Sequence, residues 1–162
     1  MSQRNKWLEK IGRTGLKTVK FDTGTGGIPE FDPLDFAHMF AGLNSEASAW
    51  VMFAYSNSED ETSLNKITSL LSKVIIRKHP VIKPKGAVGL VKIILREVLQ
   101  RAPGDTTQKR GAVIARAKAM GIARSTYHKH QNSINQAIEL ILSVVDSWEE
   151  QAAKVSAARL RN

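Results

Sequence analysis

Apolar residues recur along this chain at steps of three and four, the period of a helix with one buried face. In "LNKITSLLSKVIIRKH" they fall at Leu64, Ile67, Leu70, Leu71, Val74 and Ile75, which predicts an amphipathic helix. His79-Pro80 and Lys83-Pro84 end it, because proline lacks an amide donor and restricts the residue before it. "GAVGLVKIILREVLQR", residues 86 to 101, brings Val88, Val91, Ile94, Leu95 and Val98 round in the same way, and Pro103-Gly104 closes it. A strand over "VGLVKIIL" is the other reading; length and the run-on into "REVLQR" favour helix.

Upstream, Pro33 suits the first turn of a helix capped by Asp32. The stretch "LDFAHMFAGLNSEASAWVMFAYS" then reads as one or two helices with a break near Gly42 to Ser45. Aromatic residues at that spacing point to core. "DTGTGGIPEFDP" before it concentrates glycine and proline and predicts a linker; it lacks the Lys-Ser/Thr ending of a phosphate-binding loop. "NSEDETS", residues 57 to 63, is an acidic connector.

After Asp105 and Thr106, either of which can cap, "TQKRGAVIARAKAM" places Val113, Ala117 and Met120 on one stripe with Ile114 beside it, and Gly121 supplies the left-handed backbone of a sharp reversal. A helix-turn-helix needs a small residue four before this glycine, and apolar residues just before, just after and six beyond it; Ala117, Met120, Ile122 and Tyr127 occupy those places. The second helix carries a buried stripe of Tyr127, Ile134, Ile138, Ile141, Val145 and Trp148. Arg124, Ser125, His128, Lys129 and Asn132 then share the opposite face near the helix start, where a recognition helix meets base edges. These side chains suit it: arginine and lysine pair with guanine, asparagine with adenine, serine with base edge or phosphate. Ala123 stands where a capping side chain is usual; if Ser125 caps instead, it leaves the reading face. His130 is expected to face inward, and "HKH" without a carboxylate nearby predicts no metal site.

The fold class is therefore all-α: a helical body followed by a C-terminal helix-turn-helix with a long last helix. Three segments are expected, a basic arm and Gly/Pro linker over 1–31, the helical body over 32–104, and the DNA-binding region over 105–162. The last stretch is apolar over more than one face, so it packs against the first half of the chain or self-associates with a second copy through 134–148.

Charge sharpens this picture. The 162 residues carry a formal +9, which favours polyanionic partners. Between Asp105 and Glu139 there is no acid, while Lys109, Arg110, Arg116, Lys118, Arg124 and Lys129 supply positive charge, a bias that phosphate backbones select. Residues 1 to 20 hold six bases against Glu9, either an arm on phosphate or a solvated terminus. The absence of cysteine excludes disulfides and thiolate-bound metal, so no cofactor is expected and the cytoplasm is the default. No apolar run is long enough to span a bilayer and the first residues lack a secretion signal, so no membrane partner is expected.

"AMGIARSTYHKHQNSINQAI", residues 119 to 138, resembles the carboxy-terminal motif of the late antitermination proteins Q of lambdoid bacteriophages, in which a Gly-apolar-x-Arg-Ser/Arg-Thr-Tyr run opens the recognition helix. Length, basic charge and a helical first half ending at Pro-Gly are similar to the phage 21 type. The resemblance implies a non-enzymatic transcription antitermination factor in the host bacterial cytoplasm. Such a factor binds a double-stranded DNA element at the late promoter and loads onto the paused bacterial RNA polymerase elongation complex with its sigma factor. The polymerase then reads through pauses and terminators. Arg124, Ser125, His128 and Lys129 would enter the major groove, and the helical body would meet polymerase. Other members carry a cysteine-bound zinc, which this chain has no residues to hold.

Two other function classes compete. A helix-turn-helix repressor acting only at initiation would use the same DNA-reading half without touching polymerase. A nuclease would need a carboxylate cluster, and Asp22, Glu30, Asp32 and Asp35 sit in a linker and a helix cap with no partner pattern. An RNA-binding role for the basic arm lacks the aromatic sheet motifs of common RNA modules.

Overall fold

The computed structural model describes residues 41–55, 61–100 and 111–159. They form six helices and no strand: α1 Ser45–Tyr55, α2 Glu61–Lys78, α3 Pro84–Gln100, α4 Ala112–Met120, α5 Arg124–Lys129 and α6 Gln131–Arg159. The fold is all-α, and "VGLVKIIL" is helical. The basic arm, the Gly/Pro linker, the helix expected from Pro33 and the Pro103-Gly104 break lie outside the described residues, as do Lys109 and Arg110.

Local chemistry explains where the helices begin and end. Gly42 takes a left-handed φ of 98°, and Asn44 then caps α1, its Oδ1 accepting the Ala47 amide at 2.8 Å. α1 thus starts within the Gly42 to Ser45 stretch, while the residues before Ala41 lie outside the described ones. α2 stops at Lys78, and the His79 amide still reaches the Ile75 carbonyl at 2.7 Å before Pro80 ends the ladder. Pro84 does not close that helix; it opens α3, in the first turn, where its missing amide has no partner to lose.

The buried stripes run close to those expected, rotated slightly. On α2 the inward face is Leu64, Ile67, Leu71 and Ile75, joined by the small polar Thr68 and Ser72, while Leu70 is exposed. On α3 it is Ala87, Leu90, Val91, Ile94 and Leu95, while Val88 is exposed. Both outliers are single apolar side chains on a polar face, which solvent tolerates.

The chain divides into two compact units: one is Asn65–Val144, and the other takes the residues before and after it. The second unit contains α1 and the last turns of α6. There Trp50, Val51, Phe53 and Ala54 are buried, as are Trp148 and Ala152, and the Tyr55 hydroxyl donates to Glu149 Oε1 at 3.2 Å. Ser156 is buried because its Oγ donates to the Ala153 carbonyl one turn back, at 3.1 Å.

In the Asn65–Val144 unit, α3 packs on α4. Glycine makes the approach close: a methyl at Gly89 would overlap the Ala119 carbonyl oxygen, so α4 ends directly on the α3 backbone. Arg116 of α4 reaches Glu97 of α3 with two hydrogen bonds, at 2.8 and 3.1 Å. The helix assigned to the body and the helix assigned to the DNA-binding region thus share one core.

The stripe of α6 expected to pack inward does so, at least in part. Ile134, Ile138, Ile141, Val145 and Trp148 are all buried within the single chain, Ile138 the most open at 8%. Leu140, Leu142 and Val144 of the same segment are half-buried.

Candidate nucleic-acid interface

The corner between α4 and α5 consists of Gly121, Ile122 and Ala123. Gly121 adopts φ 68°, ψ 30°, a left-handed conformation that an L side chain enters only with strain. The reversal closes with two hydrogen bonds, Gly121 amide to Lys118 carbonyl and Ile122 amide to Ala117 carbonyl, both 3.1 Å. This pairing satisfies two of the carbonyls that α4 would leave open at its end.

Around the corner, Ala117, Met120 and Tyr127 are buried and Ile122 is half-buried, the four positions expected from the pattern. Ile114 turns to solvent at 56% exposure, since it lies about 100° round the helix from Val113.

α5 starts at Arg124 with Ala123 as its extended cap, which makes no side-chain cap hydrogen bond. Ser125 therefore does not cap; it sits exposed in the first turn beside Arg124. His128, Lys129 and Asn132 are exposed as well, so all five expected reading residues face solvent. His128 Nδ1 lies 3.4 Å from Gln131 Oε1, and its ring stands edge-on to Tyr127 with centroids 6.2 Å apart. These are loose contacts that leave the imidazole free to turn toward a ligand.

The second helix of the corner is not one straight element. His130 leaves helical geometry at φ −109°, ψ 19°, and its amide is shared between the Thr126 and Tyr127 carbonyls at 3.2 Å each. The Ile134 amide returns to the His130 carbonyl at 3.0 Å, so the winding resumes at once. Tyr127 and Ile134, on either side, both stay buried; His130 is half-buried. The six residues of α5 thus form a short helix set off from the 29-residue α6.

The expected phosphate contacts divide. Lys118 is exposed on α4, on the side away from Ala117 and Met120. Arg116 is buried at 4% exposure and engaged by Glu97, which withdraws it from the phosphate-binding set. Burial opposes its charge, yet the hydrogen bonds and charge of Glu97 outweigh that and hold its pKa above the ordinary arginine value, with Tyr127 contributing in the same sense. Tyr127 Oη is fully buried beside the Arg116 guanidinium, close enough to favour its charge but without good hydrogen-bond geometry. The Arg116–Glu97 pair is what sequence reasoning missed. The signal was present in register, because Arg116 lies about 60° from Val113, on the flank of the buried stripe, whereas Lys118 lies about 140° away.

No group of His, Asp or Glu among the described residues could hold a metal ion, and no helix there is long and apolar enough to cross a membrane. No family model, curated protein or solved structure matches the chain.

Proposed function

We propose that this chain reads double-stranded DNA with α5 and acts in transcription as a late antitermination factor of the kind its 119–138 segment resembles. The observation that carries the DNA-reading part is the corner itself. Arg124, Ser125, His128, Lys129 and Asn132 are exposed together on and beside a short helix whose other side is anchored by buried Tyr127 and Ile134. Such a helix enters a major groove, its guanidinium and ammonium groups meeting guanine N7 and O6 and Asn132 meeting adenine. Lys118, exposed on the preceding helix, would grip phosphate. The remaining helices would meet RNA polymerase.

A single-round transcription assay with purified bacterial RNA polymerase tests the role. Terminator readthrough that depends on a cognate promoter-proximal DNA element supports antitermination. Reduced initiation with unchanged readthrough assigns the same DNA-reading corner to a repressor instead.

A further inference from the structure

Residues 62 to 96 contain no Asp or Glu at all, yet hold eight lysines and arginines. The bias is stronger than that of the segment around α5, and nothing in the reading of α5 uses it. On α2, Lys66, Lys73 and Arg77 follow one another at steps of seven and four; on α3, Lys85, Lys92 and Arg96 repeat those steps. At 3.6 residues per turn each trio falls within an arc of about 40° and extends about 16 Å along its helix, a straight row of cations. Lys92 is half-buried and the other five are exposed. Between the rows, Lys78 and Lys83 are exposed on either side of the turn that the Ile82 amide closes on the His79 carbonyl at 2.9 Å.

Solvated helix faces ordinarily set acids four residues from bases to gain ion pairs. Here, Lys66 aside, the cations form no ion pair with a carboxylate among the described residues. Unpaired like charges repel one another along a helix, and a surface built this way is stabilised by an external anion with regular charge spacing.

We propose that the cation rows of α2 and α3 form a second nucleic-acid surface, which grips the phosphate backbone of duplex DNA without reading its sequence. The choice of nucleic acid over another polyanion rests on the α5 reading, since both lie in the Asn65–Val144 unit. The choice of duplex rests on composition. α2 and α3 contain no Phe, Tyr or Trp, so they lack the stacking platforms that hold single strands and the aromatic anchors that seat a helix in a membrane surface. Charge at fixed spacing on rigid helices remains, and that suits a stiff double strand.

The test measures binding of the full chain to a random-sequence DNA duplex over a series of salt concentrations. The variant Lys73→Gln/Arg77→Gln/Lys85→Gln/Lys92→Gln is expected to lose up to about 3.6 units of the log–log salt slope and to bind about tenfold or more weakly at low salt. Lys73→Arg/Lys85→Arg/Lys92→Arg, which keeps the charge, is expected to retain the wild-type slope. A wild-type slope in the glutamine variant overturns the proposal. So does a variant that loses binding to single-stranded RNA, or to phosphatidylserine vesicles, while its duplex binding stays at the wild-type level. The outcome is separable from the α5 reading, because Arg124→Ala leaves the four-charge effect in place whether or not α5 reads bases.

Discussion

Arg116 and Lys118 stand two positions apart in a run of alanines, and their fates differ completely. Lys118 meets water; Arg116 is held by the two oxygens of Glu97 beneath the corner. Two hydrogen bonds to a charged partner offset the desolvation of the guanidinium, but only while both members are present. Glu97→Ala is therefore expected to destabilise the fold by roughly 2–4 kcal/mol in urea unfolding, and Glu97→Ala/Arg116→Met to recover most of that loss. Tyr127 gives the opposite expectation. Its ring fills the core while its hydroxyl is buried beside Arg116 without good hydrogen-bond geometry, so Tyr127→Phe is expected to change stability by less than about 1 kcal/mol, whereas loss of a well-formed hydrogen bond to the guanidinium would cost more. The inward register of Arg116 was legible from its distance to Val113 round the helix. Its partner was not, because Glu97 lies 19 residues earlier on another helix and only tertiary packing joins them.

At the scale of elements, the helices were readable because the three- and four-residue step persists between glycine and proline signals. The interruption at His130 was not readable, since no glycine or proline marks it and both flanking apolar residues keep their register. Two glycines of α3 show how packing adds to propensity. A methyl at Gly86 would meet the Met120 carbonyl oxygen at 3.6 Å, an ordinary contact, while one at Gly89 would overlap the Ala119 carbonyl. Gly86→Ala is expected to raise stability by about 0.5–1 kcal/mol through helix propensity. Gly89→Ala is expected to lower it by about 1–3 kcal/mol, because α4 must move off α3. Thermal unfolding of the two variants checks both signs, and a stabilised Gly89→Ala would contradict the close crossing. Since α4 leads into the corner, the same substitution should also weaken any DNA binding by α5.

Across the whole molecule, the formal +9 conceals a separation of charge. The residues from Asn65 to Val144 hold fifteen lysines and arginines against three acids, a formal +12; the rest of the chain holds nine against twelve, a formal −3. The basic unit is the one that contains the corner, so the strongest field of the chain belongs to the unit that presents Arg124 and Lys129. Part of this unit was legible in the charge of the chain; the α3–α4 crossing that ties residues on both sides of 104 into it was not, because composition does not announce tertiary packing.

The central claim is that α5 reads base pairs, and selection from a randomised duplex library by the full chain tests it most directly, with wild type and Arg124→Ala carried through in parallel. The account predicts that the wild type enriches a defined motif and that Arg124→Ala relaxes one position of it, with a loss of about 1–3 kcal/mol on the selected duplex and little change on random DNA. No enriched motif, or an identical motif and equal losses on both duplexes for the variant, would contradict it.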